Sequence, residues 1–200
     1  VQTCALPIYP ACQKGGSDVA RRAEIRGREL LRKGQASAAQ EQFSRAARAA
    51  PGNQLYWLLL AQCDHRLGQT APAIQHLRQA FLLNQGDAQV CQLLADCLLE
   101  SHRNTEALAV LEGLRTDVQR SGQWHLSKAK AHLALFDFDG TMRECSAALS
   151  KSAGNQVLKK QALQGLGHGL MKFGGHAEAA WCYRMLLDEN PLDFGAALSA

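Results

Sequence analysis

Small residues return at a fixed interval along this chain: Ala39, Ala73, Ala107 and Thr141 stand 34 residues apart. Each is followed four residues later by Phe43, Leu77, Leu111 or Cys145, and three residues further by Ala46, Ala80, Leu114 or Ala148. Positions i, i+4 and i+7 share one face of a helix, so each trio predicts an amphipathic helix. The trio recurs as Ala179, Tyr183 and Leu186, displaced by four residues, which places a short insertion between Lys151 and Gln161. Ahead of the trios lie further helical patterns: Ala23, Arg26, Gly27 and Leu30; Trp57, Leu60 and Ala61; Cys91, Leu94, Ala95 and Leu98; Leu163, Leu166, Gly167 and Leu170. Gly34, Gly68 and Gly174 fall between the paired helices, where a tight reversal calls for positive φ. Pro51 and Pro191 close units one and five, where a helix must stop.

These residues resemble the tetratricopeptide signature, Trp-x-x-Leu-Gly-x-x-Tyr followed by Ala-x-x-x-Phe and a proline, at a period of about 34 residues. The likeness covers residues 20 to 193. It departs from the pattern at Asp64, which replaces the aromatic of unit two, and in unit three, which has no closing proline. The resemblance implies an all-α fold, a right-handed superhelical solenoid of about five antiparallel helix–turn–helix hairpins. The expected organisation is a solenoid over 19–193, with units at about 20–53, 54–87, 88–120, 121–155 and 160–193, and a truncated start of a further helix over 194–200. One hairpin cannot bury both of its apolar faces, so stacking on neighbours completes the core. Trp57, Trp181, Tyr183 and the leucines are expected in that core.

Composition agrees with this reading. A hydrophobic content of 46% and a charged content of 20% exclude a disordered chain. β-Branched residues are scarce and only five prolines occur, which favours helices. No run approaches the ~20 apolar residues that span a bilayer, so no membrane partner is expected. The net charge of +4 is concentrated in Arg21, Arg22, Arg26, Arg28, Arg32 and Lys33, which face Glu24 and Glu29. No aromatic residue interleaves this cluster as a base-stacking platform would require, so it reads as a solvated helix face and no nucleic-acid partner is expected. The seven cysteines lack the two-residue spacing of zinc or redox sites and lie in apolar stretches. They read as buried thiols, which points to a reducing, cytoplasmic location. His65, His125, His132 and His168 form no i, i+4 pair, so neither a metal nor another cofactor is expected.

The two ends read differently. Residues 1–8 resemble a translated sequencing adapter, and Tyr9 to Ser17, with Pro10 and the Gly15-Gly16 pair, read as linker, giving an artefactual or linker segment over 1–18. No initiator methionine is present and the repeat begins anew after Pro191, so the chain reads as a fragment. A solenoid cut within a unit exposes an apolar end, which predicts self-association or fraying at the C-terminus.

In the resembled family, positions 2, 5, 9 and 12 of each unit commonly point into a concave groove. Carried onto this sequence, they give Arg21, Glu24 and Arg28; Gln62 and His65; Gln89, Gln92 and Asp96; and Gln161, Gln164 and His168, with Arg66 and Lys172 adjacent. The first helix of unit four can be phased in two registers one residue apart. In either, His125, Lys128 and His132 form a polar stripe at i, i+3 and i+7. Such a mixed polar groove suits an extended peptide or short helix of a protein partner, and no enzyme activity is expected within these residues.

Two other readings compete. The repeats could be the recognition arm of a larger enzyme, with a sulfotransferase or glycosyltransferase domain beyond residue 200. The string from Phe136 to Thr141, Phe-Asp-Phe-Asp-Gly-Thr, also resembles motif one of haloacid-dehalogenase-type phosphatases, in which Asp137 would be the nucleophile and Asp139 the general acid. That chemistry needs a strand ahead of the motif. Trp124 to Leu135 contains neither Val nor Ile, and by repeat phase the string falls at a helix-to-helix turn.

Overall fold

The computed structural model describes residues 10–113 and 121–189. Residues 1–8, Pro191 and the further helix start expected over 194–200 lie outside them, as does Leu114. Among the described residues there are ten helices and no strand: α1 (Pro10–Arg32), α2 (Ala36–Ala49), α3 (Gln54–Arg66), α4 (Thr70–Leu83), α5 (Ala88–Glu100), α6 (Asn104–Gly113), α7 (Gly122–Ala134), α8 (Phe138–Ser150), α9 (Gln156–Lys172) and α10 (His176–Glu189). The fold is all-α and built from helical hairpins. It divides between Val90 and Cys91, within α5, into two compact units.

The beginnings of the helices keep the period. Second helices start at Ala36, Thr70, Asn104 and Phe138, and first helices at Gln54, Ala88, Gly122 and Gln156. A capping side chain precedes each of those four first helices. Asn53 accepts from the Leu55 backbone N–H, Asp87 from Gln89 and Val90, Ser121 from Trp124, and Asn155 from Leu158. Each cap satisfies a donor that the helix start would otherwise leave unpaired, a contribution of about 1 kcal/mol. The series also settles the register of unit four, because α7 begins one residue after Ser121, in step with α3 and α5.

The reversals repeat as well. Gly34, Gly68 and Gly174 have φ of 75°, 72° and 90°, as positive-φ turns require. In the third and fourth hairpins the same turn position is filled by His102 at 58° and Phe136 at 61°. A non-glycine residue in this region carries a steric penalty, so these two turns are strained where the others are relaxed.

The four displaced residues of the last hairpin are helix. α9 has 17 residues where α3, α5 and α7 have 13, an added turn over Gln156 to Lys159. The stretch from Pro10 to Ser17, expected as linker, belongs to α1. Proline at the first helical position loses no hydrogen bond there, and a helix seeded further along can propagate back through the glycines at modest cost.

In the first unit, Ala39, Phe43, Ala46 and Ala47 of α2 meet Tyr56, Leu59, Leu60 and Cys63 of α3 in one core, with Ala20 and Ala23 of α1. Trp57 packs at its edge and donates from Nε1 to the Pro51 carbonyl at 2.8 Å. In the second unit, Ala129, Cys145, Leu163, Leu166, Leu170, Ala179, Cys182, Tyr183 and Leu186 form one cluster, and Leu126, Ala148, Leu158 and Ala162 another. The side chain of Trp181 is outside the described part. Cys63, Cys91, Cys97, Cys145 and Cys182 are all buried. Burial pushes the Cys63 thiol up to about 11 and the Cys97 and Cys145 thiols up to about 12, so these three are protonated and unreactive at neutral pH.

Candidate partner-binding surface

The second unit contains a groove of about 300 Å³ between α7 and α9, with α8 beneath it. Leu126, Ala129, Lys130 and Leu133 line it from α7; Thr141 and Cys145 from α8; Gln161, Gln164, Gly165 and His168 from α9. The depth has a local cause at Gly165, where a Cβ would stand 3.0 Å from Cys145 Sγ. Leu126, Ala129 and Cys145 are buried and make an apolar floor, while Lys130, Gln161 and His168 are exposed along the rim. The His168 ring lies 6.1 Å from the buried Tyr183 ring, tilted 59° to it. Because the Cys145 thiol is neutral, the floor carries no charge. This arrangement can take up an aliphatic side chain and offer amide, imidazole and ammonium groups to the backbone beside it.

The candidate residues fall in different places. Gln161, Gln164 and His168 are brought together in this groove. His125, Lys128 and His132, the stripe of unit four, turn toward α8 and away from it. His125 Nδ1 lies 2.7 Å from Glu144 Oε2, and Lys128 Nζ donates to Glu144 Oε1 at 2.8 Å. Burial alone would push the Glu144 carboxyl up, but hydrogen bonds from His125 and Lys128, with their charges, hold it below its ordinary value. His132 is buried, with Nδ1 2.8 Å from Asp137 Oδ2. The physical reason is the pull of two carboxylates on α8 and its cap, which a single-helix count does not include.

Gln92 and Asp96 are joined in a network of their own: the Gln92 amide donates to Asp96 and to the buried Ser127 hydroxyl, which donates to Asp96 Oδ1 at 3.1 Å. These groups tie α5 to α7. Lys172 is exposed, with Nζ 4.2 Å from the Phe136 ring centroid. In the first unit, Arg21 and Arg28 are exposed on α1, and Arg28 Nε donates to Glu24 Oε1 at 2.8 Å. Gln62 and His65 are half-buried on α3, and Arg66 is exposed. Gln89 is exposed in the first turn of α5.

Of the residues that line the groove, Leu126, Ala129, Lys130 and Leu133 of α7, Thr141 and Cys145 of α8 and Gly165 of α9 were not among the partner-binding candidates. For three of them a signal was present: counting from Asn53, Asp87 and Ser121 as caps puts Leu126, Lys130 and Leu133 at the fifth, ninth and twelfth positions of α7.

Asp137 has a structural role. It caps α8, its Oδ1 accepting from the Gly140 N–H at 2.9 Å. That bond, against some desolvation and with help from His132 and Arg143, holds its carboxyl below the ordinary value. A helix, α7, stands where a phosphatase nucleophile would need a strand.

The sequence model described as tetratricopeptide repeat matches residues 30–90 and 66–131. No curated protein sequence matches. Among solved structures, MamA from Desulfovibrio magneticus, residue 41 to its end, superposes with a TM-score of 0.79 at 16% identity, covering 88% of this chain and 98% of that one. TTC0263 of Thermus thermophilus, a thermophilic protein of the same repeat type, gives 0.64 at 19% identity, covering 90% and 95%. YrrB, whose structure is described as having an unusual peptide-binding site, gives 0.73 at 11% identity, covering 88% and 89%. With hairpins starting every 34 residues, turns at a recurring positive-φ position and this match across both units, the chain belongs to the tetratricopeptide repeat family.

Proposed function

We propose that the chain is an interaction scaffold that holds an extended peptide or short helical segment of a partner protein. The observation that carries this reading is the α7–α9 groove, with its neutral apolar floor and a rim of Lys130, Gln161, Gln164 and His168. An aliphatic side chain would enter between Leu126 and Leu133. The Gln161 and Gln164 amides can each donate to and accept from a peptide backbone, and Lys130 and His168 favour an acidic or C-terminal group nearby. In the first unit, Arg21, Glu24, Arg28, Gln62, His65 and Arg66 are the corresponding candidates, and Gln89 stands on α5. The peptide-binding site described for YrrB supports this class of ligand.

The test is selection of a phage-displayed random peptide library on the protein, with Leu133→Asp as counter-target. Peptides that bind the unaltered protein at least about tenfold more tightly than Leu133→Asp, and that lose affinity in Gln164→Ala and His168→Ala, are expected. Enrichment no greater on the unaltered protein than on Leu133→Asp sinks the proposal.

A further inference from the structure

The basic cluster of α1 divides between two flanks of the helix. Arg22, Ile25, Arg26, Glu29, Leu30 and Lys33 follow one another at helical spacing and line a second, open groove along the C-terminal half of the helix. Ile25 is 53% exposed and Val19, on the same flank, 54%.

The repeat gives this flank a meaning. Taking Gly34 and Gly68 as equivalent turn positions, Arg22, Ile25, Arg26 and Glu29 correspond on α3 to Tyr56, Leu59, Leu60 and Cys63. Those four α3 residues pack against Phe43, Ala46 and Ala47 of α2. The flank of α1 is therefore the one that, a unit later, receives a helix. On α1 its chemistry has changed: aliphatic groups remain at Val19, Ile25 and Leu30, but Arg22, Arg26 and Lys33 stand among them against the carboxylates of Glu29 and, a turn before Arg22, Asp18. The apolar face that α2 turns to α3 would desolvate three cations here with only two carboxylates to offset them.

We propose that this flank of α1 docks an acidic amphipathic helix of a partner protein. Leucine-like side chains of that helix cover Val19, Ile25 and Leu30, and its flanking carboxylates meet Arg22, Arg26 and Lys33. Bidentate guanidinium–carboxylate pairing fixes its register, and the aliphatic contacts supply the apolar burial. This surface is separate from the α7–α9 groove, so either proposal can fail alone.

The probe is a fluorescein-labelled synthetic peptide of about 18 residues, with leucines at i, i+3 and i+4 spacing and glutamates on either side. Saturable one-to-one binding is expected, with a rise in helical circular dichroism. Affinity should fall at least about tenfold in Arg22→Glu/Arg26→Glu and in Ile25→Asp, and should weaken with salt. These exposed substitutions should leave the thermal transition of the protein in place, and Leu133→Asp should bind the probe as the unaltered protein does. Absence of saturable binding, equal affinity in the altered proteins, or equal binding of the same peptide with lysine for glutamate overturns the proposal. Tighter binding of a DNA duplex, lost in the same variants, also overturns it and makes the flank a nucleic-acid surface.

Discussion

The Cβ that Gly27 lacks would stand 2.7 Å from Cε1 of Phe43, so α1 and α2 approach as closely as a glycine facing a phenyl ring allows. Gly167 and Tyr183 repeat the relationship, with the absent Cβ 2.7 Å from Tyr183 Cζ. At the equivalent positions Ala61 is matched by Leu77 and Ala95 by Leu111, all fully buried. Volume at the crossing is shared between the two helices, and a ring on one leaves room only for hydrogen on the other.

Gly27→Ala should therefore destabilise the first unit, by about 1–3 kcal/mol, even though alanine is the better helix former. Gly27→Ala/Phe43→Leu, the pairing used by the second hairpin, should be more stable than Gly27→Ala alone. Urea denaturation of the single and double variants measures the coupling; strict additivity would show that the ring is not the cause.

Asp64 is fully buried where the family pattern has an aromatic residue. Its Oδ1 accepts from Gln40 Nε2 at 2.6 Å, its Oδ2 lies 2.6 Å from His76 Nδ1, and its backbone carbonyl accepts from the Gln69 N–H at 2.9 Å. The His76 ring also stacks on Trp57, with centroids 5.7 Å apart. Asp64→Tyr, the change toward the family pattern, should cost about 2–4 kcal/mol through lost partners and overpacking. Asp64→Asn should cost less, since one acceptor remains. Thermal melts of the two variants decide it, and a stabilised Asp64→Tyr protein would contradict the account.

Phe136 sits at φ 61° and is 67% exposed, so little of its side chain is buried to offset the strained backbone. Phe136→Gly should stabilise the second unit relative to Phe136→Ala by about 1–2 kcal/mol, because both lose the ring and its contact with Lys172 while only glycine relieves the backbone. Calorimetry on the two variants isolates that backbone contribution. Equal transition temperatures would mean that the turn relaxes around alanine.

Glu144 introduces a pH dependence of definite sign. Its carboxyl is held below the ordinary value in the folded chain, so the unfolded chain binds protons more readily in acid. The stability it contributes is present above the ordinary carboxylate range, and is lost as pH falls through that range to the lowered folded value. The protection factors of the α7–α8 amides, referred to the intrinsic exchange rate at each pH, should therefore fall on acidification through this window. In Glu144→Gln the same amides should start less protected and show a shallower acid limb. An unchanged limb would place the acid sensitivity elsewhere.

The amino-acid sequence by itself determined the helical hairpin, its period and the positions of its glycine turns. These follow from local chemistry repeated at a fixed interval: apolar side chains at helical spacing, positive-φ glycines between helices, and the caps Asn53, Asp87, Ser121 and Asn155, which were equally readable. Trios such as Ala39, Phe43 and Ala46 face a core because every neighbouring hairpin presents the same apolar stripe. The direction of polar side chains was decided only by tertiary structure. His125, Lys128 and His132 look like a solvent stripe along α7, yet Glu144 and Asp137 draw them to α8, and Lys130 and Leu133 are left for the groove. Asp64 likewise looks like a departure from a pattern until Gln40 and His76 arrive from other helices. Apolar burial needs only a matching face, so periodicity locates it. A buried carboxylate needs particular donors at hydrogen-bond distance, and those come from helices that only packing brings together.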